Sequence, residues 1–176
     1  MSEKDRAVIV YESMFGNTEQ IARAIRDGLR AYVPAETVPV NQAPDAVSDD
    51  VRLLVVGGPT HAFSMSRLST RQEAGKQADL VTPVEVGIRE WLAVLKPGTE
   101  KPWVATFDTR VKVRLLPGSA ARSAAKLLRR MGYRLSDSAS FFVSDTTGPI
   151  RDDELERAQH WGEELGRRVT GSAKVA

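Results

Sequence analysis

The chain has 176 residues, 41% hydrophobic and 27% charged, the balance of a globular protein with room for one proper core. A formal charge of +2 is too small to point to nucleic acid, and the lack of cysteine excludes disulfides, thiolate catalysis and sulfur-ligated metals. No apolar run approaches membrane-spanning length, and the charged start, Met1 to Arg6, lacks the apolar core of a secretory signal, so a cytoplasmic location is expected.

Val8-Ile9-Val10-Tyr11 reads as a first strand. It breaks into Ser13-Met14-Phe15-Gly16-Asn17-Thr18, after which Ile21, Ala22, Ile25 and Leu29 fall on one helical face. Asn17 and Gln20 stand three apart, as a capping pair does, and Gly16 permits close backbone approach or a positive φ. Strand, small polar loop and helix together aim backbone N–H groups and a positive dipole end at an anion. The loop holds no Lys or Arg and lacks the glycine and Lys-Ser/Thr spacing of a triphosphate loop, so a single terminal phosphate fits better.

Glu36 to Val40 is read as a short second strand. Leu53 to Gly57 is the third, ending in a rigid turn where Pro59 fixes the backbone and Thr60 and His61 project. Ser69 to Ala78 is a weak helix candidate. Thr82-Pro83-Val84-Glu85 has the cap, first-turn proline and acid of a helix start, with Val84, Ile88, Trp91, Leu92 and Leu95 on one face. Trp103 to Phe107 is the fourth strand and Asp108 to Gly118 a long loop. Ser119 to Met131 is a helix stopped by Gly132, and Ala120, Ala121, Ala124 and Ala125 allow it close to a sheet. Phe141 to Val143 is the fifth strand. Asp153 and Glu156 are read as capping a last helix with the stripe Leu155, Ala158, Gly162, Leu165 and Val169, and the tail after Thr170 as frayed. Trp91, Trp103 and Trp161 read as core or rim aromatics.

Alternating strands and helices imply a parallel sheet covered on both faces, with right-handed crossovers. Residues 1–176 are therefore expected to form one domain with a core at about 6–170, a doubly wound sandwich. A receiver domain of similar topology needs an acidic pair after strand one and an Asp after strand three, where Glu12-Ser13 and Gly57-Gly58-Pro59 stand instead. A hydrolase elbow, Gly-x-Ser-x-Gly, is absent, and no pair of histidines has metal-ligand spacing.

Ser13 to Thr18, read with Gly57-Gly58-Pro59-Thr60-His61, resembles the flavodoxin family over nearly the whole chain, in its short-chain form. Ser13 to Thr18 is similar to that family's FMN-phosphate loop, in the Met-aromatic-Gly-Asn-Thr version of flavodiiron proteins' flavodoxin-like domains. Gly57 to His61 resembles the loop beside the isoalloxazine. The resemblance implies a five-stranded parallel sheet of order 2-1-3-4-5 with helices on both faces, and FMN as cofactor. Ser13, Met14, Phe15, Gly16, Asn17 and Thr18 would hold the phosphate. Pro59, Thr60, His61, Ala62 and Phe63 would lie on one flank of the ring, and Asp108, Thr109 and Arg110 on the other, where the family's usual Tyr is missing. An imidazole at His61 would titrate near neutrality beside the ring.

The function implied is electron transfer between redox protein partners, with no catalytic residue and no metal. The alternative is an FMN oxidoreductase, reducing a quinone or oxidising a porphyrinogen at the exposed flavin edge. A third is a fold that has lost FMN and serves as an interaction module. Arg110, Lys112 and Arg114, followed by Arg122, Lys126, Arg129 and Arg130, read as either solvated charge or a surface for an acidic partner.

Overall fold

The apolar runs of this sequence become strands buried on both faces, which is what a parallel sheet demands. The computed structural model describes residues 5–80, 83, 85–114 and 117–172. In chain order the elements are β1 (Arg6–Tyr11), α1 (Asn17–Leu29), β2 (Ala35–Pro39), β3 (Val51–His61), β4 (Ser64–Met65), α2 (Leu68–Gly75), α3 (Ile88–Val94), β5 (Trp103–Val111), α4 (Ala120–Arg130), β6 (Arg134–Val143) and α5 (Glu154–Ser172). Five strands run parallel in the order β2-β1-β3-β5-β6, the expected path, and β4 pairs antiparallel with the end of β3.

Alternation along each strand divides the core in two. Ile9, Leu53, Val55, Phe107 and Phe141 join Ile21, Ile25, Leu29, Trp161 and Leu165 of α1 and α5. Val10, Leu54, Val56 and Val104 join Trp91, Leu92, Ala120, Ala124 and Leu128 of α3 and α4. Each fully buried large aliphatic is worth about 1.5–3 kcal/mol, so these layers fix the strand order. Phe107, Phe141 and Trp161 pack edge to face, with ring centres 5.9–6.5 Å apart. Helices α1 and α5 touch through glycine: a Cβ on Gly28 would stand 2.0 Å from the Gln159 carbonyl oxygen, and one on Gly162 2.2 Å from that of Ile25.

The structure changes several element boundaries. Strand β3 does not stop in a turn at Pro59 but continues through His61 and folds back, pairing Thr60 with Met65 and His61 with Ser64. The two turn residues, Ala62 (φ 46°) and Phe63 (φ 67°), both lie in the left-handed region, the geometry of a tight hairpin without its usual Asn-Gly. Helix α2 covers Leu68–Gly75, where the sequence suggested 69–78. Helix α3 begins at Ile88, where the Glu90 carboxylate accepts the Gly87 N–H at 3.1 Å; Thr82 and Val84 lie outside the described residues. Strand β5 runs on to Val111, so Asp108 to Arg110 belong to a strand and not a loop. Leu155 is exposed, and Trp161 occupies the core-facing stripe of α5 instead. No side-chain cap from Asp153 or Glu156 is found among the described residues; Asp153 has φ 66°, and the Glu154 carboxylate turns back to the Phe142 N–H at 2.7 Å.

Strand β6 is ten residues long and forms one edge of the sheet. Its unpaired side is taken up by the segment that follows it. The Ser136 carbonyl accepts from Arg168 at 3.3 Å, the Ser140 carbonyl from Arg157, and the Phe142 carbonyl from the Arg151 N–H at 3.0 Å. Among the described residues, no helix is long and apolar enough to cross a membrane.

Candidate functional site

In an open parallel sheet, ligands bind beyond the carboxyl ends of the strands, where the strand order reverses; here that point lies between β1 and β3. The loop leaving β1 is folded by Ser13, which is wholly buried and whose hydroxyl oxygen accepts from Gly16 N–H (3.1 Å) and Glu19 N–H (3.3 Å). Gly16 takes φ 90° and forms the start of α1; the Asn17 side chain makes no cap there, contrary to the pairing read with Gln20. An α-helix leaves its first N–H groups without intrahelical partners. Ser13 accounts for Glu19, while the Asn17 and Thr18 N–H groups have no partner among the described residues. Two free donors and the positive end of a helix thus meet at one point.

Helix α4 starts at the same end of the sheet and is plugged. Its Ala120 N–H donates to the Thr60 hydroxyl (2.8 Å), Ala121 N–H to Asp108 (3.1 Å) and Arg122 N–H to Ser119 (3.1 Å), while Thr60 also donates to Asp108 at 2.9 Å. Asp108 is therefore fully buried and engaged with α4, and it does not line the cleft. Asp108 lies beneath the first turn of α4, whereas Arg110, on the same face of β5, lies further along at the strand end and reaches the cleft. Of the two helix starts, only that of α1 is open to an anion.

The cleft brings together most of the residues singled out from the sequence. Met14, Phe15, Asn17 and Thr18 line it from the first loop, Pro59, Thr60 and His61 from β3, and Thr109 and Arg110 from β5, joined by Val111, Val143 and Thr146. Thr18 and Thr109 share a buried hydroxyl–hydroxyl bond of 2.7 Å. Ser13 and Gly16 shape the loop from behind, and Ala62 and Phe63 form the hairpin tip beside the mouth, with Phe63 51% exposed. The space enclosed is about 90 Å³, small beside the roughly 300–1,000 Å³ of closed small-molecule sites, so a ligand would lie across an open mouth.

Two ionisable groups matter at this mouth. Burial, helped by the nearby Arg71 guanidinium, holds the His61 imidazole below its usual pKa, so it stays neutral at pH 7 rather than titrating there. Arg110 is partly buried; its Nη1 donates to the Gly118 carbonyl (3.2 Å) and its buried Nε has no partner among the described residues. Lys112 and Arg114 are exposed beyond it, as are Arg122, Lys126, Arg129 and Arg130 on α4.

Sequence reading missed a buried polar cluster beneath the hairpin. Glu12, 1% exposed, accepts from the Ser66 hydroxyl and from the Ile88 N–H at 2.8 Å. Arg71, fully buried, donates to Ser66 (2.8 Å) and to Glu90 (2.8 Å). Arg89 grips the same strand through the Met65 carbonyl at 2.8 Å. Burial raises the Glu12 carboxyl above the usual carboxylate range, more than its hydrogen bonds and Arg71 lower it. Only the tertiary fold gathers these residues; no spacing in the sequence joins them.

Larger hollows, one of about 550 Å³ beside Arg52, Lys101 and Arg134 and one of about 260 Å³ beside Trp103, Leu135 and Arg168, lie at the amino ends of β5 and β6. That is the wrong end of the sheet for a ligand site of this fold.

Residues 9–80 match the family model for flavodoxin. Flavodoxin 2 from Bacillus cereus superposes with a TM-score of 0.65 at 15% identity, covering 93% of this chain and 99% of that one. The flavodoxin of Streptococcus pneumoniae TIGR4 gives 0.63 at 16% identity, covering 93% and 99%. A diflavin flavoprotein A3 from Nostoc gives 0.55 at 18% identity, covering 94% of each chain. No match is found among curated protein sequences. The family's sequence signature thus runs from β1 through α2, and the flavodoxin fold spans the chain.

Proposed function

We propose that the protein binds FMN in this cleft and carries electrons between redox protein partners, without a substrate of its own. The observation that carries this reading is the open start of α1 opposite the plugged start of α4. The phosphate would take the free N–H groups of Asn17 and Thr18 and the Thr18 hydroxyl, with Met14 and Phe15 alongside. Pro59 to His61 would flank the ring on one side, and Thr109 and Arg110 on the other. The residues present fit the group: paired amide donors suit a phosphate dianion, and the unpartnered Arg110 Nε suits a ring acceptor. FMN supplies the redox chemistry when bound, while the protein sets its binding and potential.

Residues 1–176 would act as one unit in the cytoplasm. Arg110, Lys112 and Arg114 around the exposed Phe63 and Val113 would receive an acidic partner. Titration with FMN and riboflavin, followed by absorption, tests the site. FMN should bind far more tightly than riboflavin, and Thr18→Val should weaken FMN by about 1.5–3 kcal/mol, the worth of a charge-assisted bond, while sparing riboflavin. Equal loss for both flavins would move the phosphate elsewhere. Steady turnover of NAD(P)H with a quinone by the isolated protein would make it an enzyme.

A further inference from the structure

The ionisable residues lining the cleft are His61 and Arg110, and no carboxylate lines it among the described residues. His61 is neutral at pH 7, so the formal charge on the lining is that of Arg110. Its guanidinium is placed by structure rather than left to solvent: Nη1 is tied to the Gly118 carbonyl, and Gly118 itself abuts the hairpin tip, where an added Cβ would stand 2.2 Å from the Phe63 carbonyl oxygen. Nε is buried and lacks an acceptor among the described residues, a condition that costs free energy unless a ligand supplies one. Asp108, two residues back on β5, is turned into the start of α4, where its Oδ2 accepts from Thr60 and the Ala121 N–H while its Oδ1 has no partner among the described residues.

We propose that Arg110 makes this cleft favour the reduced, anionic flavin over the oxidised, neutral one, so that bound FMN sits at a higher potential than free FMN. The inference rests on the FMN reading above. Uptake of two electrons and one proton by an isoalloxazine leaves one negative charge on the ring system. A fixed guanidinium in a partly dry site stabilises that charge more than it stabilises the neutral ring. The potential of a bound cofactor is shifted by the ratio of its two affinities, and for two electrons a tenfold preference corresponds to about 30 mV. Arg110 is thus a positioning and specificity residue for the redox state of the ligand. Its place at the end of β5, on the flank of the cleft opposite His61, makes the protein an acceptor from modest reductants rather than a strong reductant itself.

The experiment is anaerobic spectroelectrochemistry on the FMN-loaded protein, with dissociation constants for oxidised FMN, for the wild type, Arg110→Gln and Arg110→Lys. The wild-type two-electron midpoint should lie above that of free FMN. Arg110→Gln should lower it by about 30 mV, a tenfold loss of preference for reduced over oxidised flavin in the ratio of the two dissociation constants. Arg110→Lys should recover most of the shift. A wild-type midpoint at or below that of free FMN overturns the proposal even if the Gln variant does not fold. A midpoint identical in wild type and Arg110→Gln does the same. Wild-type protein that fails to bind FMN overturns the reading beneath it as well.

Discussion

Thr18 and Thr109 meet hydroxyl to hydroxyl at 2.7 Å, 91 residues apart in the chain, and both are buried. The bond ties the start of α1 to the end of β5, so the two sides of the cleft are set by one contact. Removing one hydroxyl leaves the other buried without a partner, which costs about 1–3 kcal/mol; removing both with the same shape kept is nearly neutral. Thr18→Val should therefore lose about that much stability by urea unfolding, and Thr18→Val/Thr109→Val should regain most of it. A double variant carrying the sum of both losses would show that each hydroxyl works through other neighbours.

The α1–α5 crossing tolerates no side chain at its two glycines, since the atoms an added Cβ would meet are backbone oxygens. Gly162→Ala should cost about 1–3 kcal/mol by overpacking, despite the helix propensity gained. Thermal unfolding of Gly162→Ala beside Gly171→Ala is the comparison, because a Cβ on Gly171 meets nothing within 4 Å. Equal melting temperatures for the two variants would mean that the helices separate without cost.

Glu12 contributes to stability with a definite sign. Its folded pKa is raised, so its contribution is fully present below the ordinary carboxylate pKa and is lost as pH rises through the folded value. Glu12→Gln removes that titration. Wild-type stability minus that of Glu12→Gln should fall as pH increases from about 4 upward, and a difference flat with pH would mean that Glu12 titrates normally. Glu90 and Glu154, both lowered, act in the opposite sense and are common to both proteins.

Lys112 and Arg114 stand exposed at the mouth, beyond Arg110. Steering by such charges acts on association rates and is screened over about 8–10 Å at physiological salt. Oxidation of reduced, FMN-loaded protein by ferricyanide, an anion, should slow in Lys112→Gln/Arg114→Gln at low ionic strength and lose part of its salt dependence. FMN affinity should stay the same. An unchanged salt slope would return these residues to ordinary surface charge.

The parallel strands and the buried face of α4 are legible because each rests on local pattern: apolar runs alternating with helices, and small residues at helical spacing; the strand order comes with the family resemblance. The ends of elements are not legible. The hairpin tip Ala62-Phe63 carries no Asn or Gly, so its positive φ values have no local signal; Gly118 abuts the Phe63 carbonyl, and Arg89 holds the Met65 carbonyl of β4. Strand β6 begins Arg-Leu-Ser-Asp-Ser, polar because it lies at an edge, and so gives no apolar signal before Phe141. Most of the cleft lining is readable from Met14 to Thr18 and Pro59 to His61. Asp108 is not, because its engagement with the first turn of α4, through the Ala121 N–H, is a tertiary contact. Glu12 and Arg71 announce nothing in sequence, being brought together by the fold and joined through Ser66.

The last helix and its approach do more than cover a face. A sheet edge with free carbonyl and amide groups is a template on which a further chain can grow, and edge strands are a common starting point for aggregation. At Ser136, Ser140 and Phe142 the outward groups of β6 are held by Arg168, Arg157, Arg151 and Glu154. Any added strand would have to displace partners tethered to the same molecule, at a high effective concentration. On that side the protein is closed to templated growth by its own C-terminal segment, and clipping or loosening α5 would reopen it.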